Sequence, residues 1–309
     1  MKSLAAEPKM LEDAADVDQA APMTRRLSWR VGVGGSLTGW AERLRTVGGG
    51  FRSICSALAL LAEAVAVGLM KPSDVEALVA RTYQSRPDFY DPKRYDLPYE
   101  KGMLPTLREI KPAGRLLDAF CGQGREARLF AEAGYCVTAV DQLDWMIDAA
   151  IQYASTEGFD AEFEVGDFAQ MAVSNPFDVV YTSCWMYSTV QGRRNRQTFL
   201  AQCHRLCHQD GIIVISHLTQ TVEGRGGAWL RHLVAKVTAL LTFGNLSTEF
   251  GERIYTGLFW HHLGKATVEN EIREAGLRVV NRIEGQGMEP TFLFLSPQGN
   301  NVAETSEAG

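Results

Sequence analysis

The chain has 309 residues, enough to bury one large core together with an accessory piece. Its 31 Lys and Arg against 37 Asp and Glu give a formal charge of −6, so no strong positive field exists to attract a phosphate backbone, and nucleic acid is not an expected partner. Six scattered cysteines (Cys55, Cys121, Cys136, Cys184, Cys203, Cys207) read as reduced thiols of a cytoplasmic protein rather than a disulfide frame.

Residues 1–50 hold few large apolar side chains and three Gly-rich patches, and are expected to form a flexible arm. The first twenty residues are polar and acidic, with no apolar core of a secretory signal. The apolar stretch from Ile54 to Met70 contains Glu63 and is short for a membrane span. Its larger residues Ile54, Leu58, Leu61, Val65 and Leu69 recur at helical spacing, which predicts a packed amphipathic helix. No span is expected, and membrane contact is the lesser alternative. Ser73 caps a second predicted helix, 74–83. A loop rich in Tyr and Pro follows, whose aromatics Tyr83, Phe89, Tyr90, Tyr95 and Tyr99 either close over a ligand or simply pack. Residues 51–112 thus read as a helical cap with a Tyr-rich loop.

From Gly114 onward strands and helices alternate. Strands are predicted at 116–119, 136–140, 161–165, 177–183 and 212–216, and helices at 124–133, 144–155 and 195–208. The helix 195–208 would carry Cys203-His204 and Cys207-His208 on one face, but no second ligand cluster lies nearby in sequence and no metal is expected. An insertion, 218–262, interrupts the alternation on the substrate side, with an amphipathic helix (Leu230, Leu233, Val237) and an extended segment 253–261. The pattern resumes with a helix 267–275 and strands 277–283 and 291–295, which have no helix between them and should pair antiparallel. Residues 298–309 read as a loose tail. The expected fold is α/β: a doubly wound, seven-stranded, mostly parallel sheet, Rossmann-like, with an antiparallel last strand, spanning 113–297.

Within this frame, Leu116-Leu117-Asp118-Ala119-Phe120-Cys121-Gly122-Gln123-Gly124 runs an apolar strand into an acid and a Gly-containing turn, and a second strand stops at Asp141, 19 positions after Gly122. That is the layout of a nucleotide-type cofactor site, in which small residues admit the ligand to the backbone and the second acid takes ribose hydroxyls. Gly122 to Ala127 also fits a dinucleotide fingerprint. Asp118, however, would repel a pyrophosphate and welcome a cation.

Here the chain resembles the class I S-adenosylmethionine-dependent methyltransferases of the small-molecule type. Leu117 to Gly124 resembles their first motif, Val137 to Asp141 with Met146 the second strand and ribose acid, and Val165-Gly166-Asp167-Phe168 the third motif. Pro176 to Val180 resembles the fourth, and Glu274 to Val280 the approach to the last strand pair. Phe120 stands where the family usually has the first glycine, so binding is expected through Gly122 and Gly124.

The resemblance implies S-adenosylmethionine as cofactor. The methionine end would lie on Asp118, Cys121, Gly122, Gly124 and Cys184. The ribose would lie on Asp141 beside Gln142, and the adenine among Leu143, Met146, Gly166, Asp167 and Phe168. Methyl transfer would go by in-line displacement to a small, partly apolar acceptor whose methylated atom, O, N or C, is open. Tyr90, Tyr95, Trp185, Tyr187, His217, Trp260 and His261 are the candidate acceptor contacts, and His217 and Tyr187 the candidate catalytic residues, His217 being the first choice of base. The other readings are an inactive binding or regulatory subunit on the same fold and an NAD-dependent oxidoreductase. Homo-oligomerisation is open.

Overall fold

A computed structural model describes residues 28–47, 51–85, 92, 97–172, 174–220, 225–286 and 288–298. The acidic N-terminal segment, Tyr90, Tyr95 and the last eleven residues lie outside them. Four helices come first: α1 Trp29–Arg45, α2 Arg52–Leu69, α3 Pro72–Ser85 and α4 Pro98–Ile110. The α/β part follows as β1 Arg115–Ala119, α5 Arg125–Glu132, β2 Cys136–Asp141, α6 Asp144–Glu157, β3 Glu162–Val165, β4 Phe177–Thr182, α7 Met186–Thr189, α8 Arg193–Leu206 and β5 Cys207–Thr219. Then come α9 Arg225–Thr242, the strands β6 Glu252–Tyr255 and β7 Leu258–Leu263, α10 Lys265–Glu274, β8 Leu277–Ile283 and β9 Pro290–Pro297.

The main sheet runs β3–β2–β1–β4–β5–β9–β8, with β9 antiparallel to both its neighbours, as expected for strands joined without a helix. The β6–β7 hairpin extends it, pairing with the end of β5 at Leu218–His262 and Thr219–Leu263. Alternation along each strand sorts side chains between two cores. Leu117, Ile213 and Ile215 face α8 and α10, where Leu200, Cys203 and Ile272 meet them. Leu116, Ile212 and Val214 belong to the other core with Met103 and Leu107 of α4 and Phe130 of α5. Chain order reverses between β1 and β4, so the crevice of the sheet opens at the carboxyl ends of these strands.

Three expectations change. Residues 29–45 of the expected flexible arm form α1. Gly34 lets α1 seat on Met70, where a Cβ would come within 2.3 Å of the methionine sulfur, so tertiary contact overrides a glycine-rich sequence. The expected α2 stripe divides: Ile54, Leu58 and Leu61 are exposed and Leu69 is buried, while Ala59, Ala62 and Ala66 are covered in their place. The helix α8 stops at Leu206 and Cys207 opens β5, which breaks the one-face arrangement of Cys203-His204 and Cys207-His208. Among the described residues no group of His, Cys, Asp and Glu is placed to hold a metal.

Candidate active site

The turn after β1 is held by backbone conformation. Phe120 takes φ 63°, Gly122 φ 53° and Gly124 φ 83°. For Phe120 the left-handed conformation costs about 1 kcal/mol or more. It turns the ring away from the crevice into the core, 5.0 Å from the ring of Phe168 and 6.1 Å from that of Phe199. Burial of an aromatic face offsets the strain. The glycine the family pattern calls for at this position is thus replaced by a core anchor.

The two glycines that follow have different work. A Cβ on Gly124 would press on Ala150 Cβ and Phe163 Cε1 at 3.2 Å, so this glycine admits close packing at the start of α5. A Cβ on Gly122 would meet nothing nearer than Met146 Sδ at 4.0 Å. Its open side is the cradle that a ligand needs.

Asp141 closes the turn from the next strand. Its Oδ2 accepts from the Gly122 amide and its Oδ1 from the Leu143 amide, both at 3.0 Å. Burial raises its pKa even so. Each oxygen keeps a lone pair for a further donor. Gln142 beside it is exposed, and Met146 is buried under the loop.

Asp118 is fully buried and neither carboxylate oxygen has a hydrogen-bond partner. Alternation puts it on the α4/α5 side of the sheet, opposite Tyr181 on β4. Desolvation, and then the nearby Glu126, Asp141 and Glu100 against Arg125, hold its pKa well above the usual carboxylate range. Glu100, on α4, is buried as well, and burial and the charge of Glu126 push it up to about 7. It shares a side-chain hydrogen bond with Cys184, whose thiol is raised by burial. A buried carboxyl without a partner is costly to ionise, and a cation is what compensates it. An orphaned carboxyl and an open glycine beside it thus suit a cationic ligand that approaches the backbone.

Beyond Cys184 the chain forms an aromatic wall. Trp185, itself left-handed at φ 64°, donates its amide to Ser216 Oγ (2.7 Å) and its indole N–H to the Met288 carbonyl (3.1 Å). Its ring lies edge-on to Tyr99 at 5.7 Å and to Trp260 at 6.4 Å. The structure brings Trp185 and Trp260 together, and Tyr99 joins them from α4. The buried Trp260 Nε1 has no partner.

Other candidates are placed elsewhere. Tyr187 is fully buried in the α8/α10 core and its hydroxyl donates to Glu271 at 2.5 Å, so it has no access to an acceptor. His261 is buried in the same polar network: Nδ1 lies 3.1 Å from Arg196 and Nε2 2.9 Å from the Phe250 carbonyl. Both are parts of the support of α8, and their assignment to the acceptor site is withdrawn. Alternation along β5 puts His217 with Ile213 and Ile215 on the α8/α10 side, away from Asp118. Burial and the charge of Arg282 lower it to about 4, so it is a weak base, although its Nδ1 is unpartnered.

Asp167 is exposed and engaged locally, accepting from the Ala169 amide (3.0 Å) and Gln170 Nε2 (2.8 Å). Phe168 is a core ring whose carbonyl accepts from Gln202. Gly166 donates its amide to the Asp141 carbonyl, tying this turn to the end of β2. Tyr99 was expected among the aromatics of the Tyr-rich loop and stands instead on α4; Glu100 was not found by sequence reasoning, although the spacing of Glu100, Met103 and Leu107 marks a helix face. Pro98 starts α4, and Pro105 is carried inside it.

The comparisons agree with this geometry. Residues 116–211 match the family model described as a methyltransferase domain. Over these residues the chain is similar to a methyltransferase domain. The match covers the cradle, Asp118 and Asp141, and S-adenosylmethionine is the cofactor that belongs with it.

Among curated relatives, an uncharacterised methyltransferase of Schizosaccharomyces pombe is 27% identical over 118 residues, 38% of this chain and 80% of that protein. The malonyl-[acyl-carrier protein] O-methyltransferase of Serratia marcescens is 30% identical over 119 residues, 38% of this chain and 44% of that protein. Among solved structures, the Burkholderia thailandensis 1,6-didemethyltoxoflavin-N1-methyltransferase, with its substrate and S-adenosylhomocysteine bound, superposes with a TM-score of 0.51 at 19% identity. That superposition covers 74% of this chain and 89% of that one. At this identity it shows the fold of the methyltransferase domain alone.

Proposed function

We propose that the protein transfers the methyl group of S-adenosylmethionine to a small, partly apolar acceptor by in-line displacement. The observation that carries this reading is Asp118, buried at the head of the cradle with both oxygens unpartnered. A ligand that brings a positive charge to that carboxyl supplies the missing interaction. When bound, the cofactor supplies a methyl carbon activated by its sulfonium, with a neutral thioether as leaving group.

The chain's own residues then have distinct tasks. Asp118, supported by Glu100 and Glu126, holds the cationic end. Gly122 leaves room for it, and Asp141 receives the ribose hydroxyls with the lone pairs its two backbone donors leave. Tyr99, Trp185 and Trp260 frame the acceptor and exclude water from its approach, so that orientation supplies most of the acceleration. The aromatic wall supports a small-molecule acceptor, as in the toxoflavin-pathway enzyme of like fold.

The test is calorimetric titration with S-adenosylmethionine, S-adenosylhomocysteine and NAD, on the wild type and on Asp118→Asn. The expected result is binding of the two sulfur compounds, none of NAD, and a loss of affinity for both in Asp118→Asn, since both carry the ammonium of the methionine end. Unchanged affinity in Asp118→Asn would refute its cation role, and binding of NAD alone would refute the function.

A further inference from the structure

Among the described residues, all but four of the exposed large apolar side chains lie on α1, the first half of α2, α9 and the short connections beside them. The exceptions are Ile151, Val165, Val280 and Met288. The three helices form one layer, α2 packing against both α1 and α9. Val31 of α1 and Val67 and Leu69 of α2 are buried in the ordinary way, but along the outer stretches of these helices the size pattern is the reverse of that in a helix facing a soluble core. On α9, Leu233, Val237, Leu240 and Leu241 point outward while Ala228, Ala235 and Ala239 are buried. On α2, Ile54, Leu58 and Leu61 point outward over buried Ala59, Ala62 and Ala66. On α1, Trp29, Val33 and Trp40 are outside and Gly34, Thr38 and Ala41 inside.

The small residues bring the backbones together: a Cβ on Gly68 of α2 would lie 2.1 Å from the Ala235 carbonyl oxygen of α9. Close packing through small residues with large apolar residues outward is the arrangement helices adopt where the surrounding medium is hydrocarbon. In water it leaves an apolar surface that a monomeric soluble protein rarely shows.

Charge indicates which apolar medium. The sequences of α1, α2 and α9 hold seven Lys and Arg against two acids, in a chain of net charge −6. Of the two acids, Glu63 is buried and paired with Arg45 and Arg253. Arg45 is tied to Glu63 and Arg30 to the carbonyls of Leu69 and Thr242, so the exposed cations of the layer among the described residues are Arg43 and Arg52, on either side of the α1–α2 connection, with Arg52 next in the chain to Phe51, which is 70% exposed. Exposed arginines beside an apolar face disfavour a second copy of the same face and favour an anionic lipid surface. The second half of α2 is enclosed by the fold, with Glu63 in its buried ion pairs, so this helix stays in the layer and does not cross.

We propose that the outer face of α1, α2 and α9 seats the protein on the surface of an anionic bilayer, its apolar side chains entering the headgroup boundary without spanning it. This does not depend on the cofactor or the acceptor.

The test is co-sedimentation of the full chain with vesicles of phosphatidylcholine alone and of phosphatidylcholine mixed with phosphatidylglycerol, at low and high salt. The wild type is expected to sediment with the mixed vesicles, about tenfold less with the neutral ones, and less again at high salt. The double substitution Leu240→Glu with Leu241→Glu, and separately Ile54→Glu, are expected to abolish sedimentation. All three positions are exposed, so melting temperature and circular dichroism should stay those of the wild type. Failure of the wild type to sediment with mixed vesicles, or sedimentation unchanged in both variants, would overturn the proposal. So would a dimer seen by light scattering without lipid that the same substitutions dissociate, since that assigns the face to a second copy.

Discussion

Gly122→Ala separates the ligand role of the cradle from its structural role. In the folded protein the new methyl group would meet only Met146 Sδ at 4.0 Å, so it creates no clash. The cost to the fold is that of an L side chain at φ 53°, about 1 to 2 kcal/mol, or a few degrees of melting temperature for a chain of this size. Affinity for the cofactor should fall much further, because the methyl group stands on the open side where the ligand must touch backbone. A loss of at least about tenfold, ~1.4 kcal/mol, is expected on top of any effect on stability.

Gly124→Ala is the control. Its methyl group would sit 3.2 Å from Ala150 Cβ and Phe163 Cε1, so the larger loss should be in melting temperature. The assay is titration of S-adenosylhomocysteine by calorimetry at a temperature well below both melting transitions. A folded Gly122→Ala protein that binds with wild-type affinity would refute the assignment of this turn to the cofactor.

Glu100 gives a pH dependence of known sign. Its carboxyl is raised from an ordinary 4.5 to about 7, so across that window the folded protein keeps a proton that the unfolded chain has released. Stability from this group therefore falls as pH rises from about 4.5 to 7, and Glu252, raised to about 7, acts in the same direction. Glu100→Gln should flatten part of that slope in melting temperature measured against pH. Conversely, affinity for the cationic cofactor should climb through the same window as Glu100, beside Asp118, Glu126, Arg125 and Cys184, gives up its proton. A pH-independent affinity would count against the carboxyl cluster as its site. Tyr187→Phe removes a buried hydroxyl from Glu271 and should cost about 1.5 to 3 kcal/mol of stability, read by urea denaturation, while leaving the turnover number unchanged. Arg196→Met leaves Glu271, which Arg196 contacts at 3.0 and 2.8 Å, buried without its cation, and should cost about 3 to 5 kcal/mol in the same assay.

The alternation of strands and helices from Gly114, the antiparallel closing pair and the positions of Asp118, Gly122 and Asp141 were all legible in the sequence. They rest on period and on local turn chemistry, which neighbouring residues determine by themselves. Phe120 was legible as a departure but not as a solution, because the rings it meets, Phe168 and Phe199, are 48 and 79 positions away along the chain.

Tertiary structure decided what proximity in sequence cannot. It brought Glu100 and Tyr99 on α4 to the crevice. It enclosed Tyr187 and His261 in a polar network around Arg196, and it set His217 on the far side of the sheet. It also decided which face of α2 turns outward. Periodicity shows that a helix has two faces, but only the partners that pack against it determine which one is covered. In the first half of α2 Ala59 and Ala62 are covered while Ile54, Leu58 and Leu61 are left free, and towards its end Val67 and Leu69 are buried.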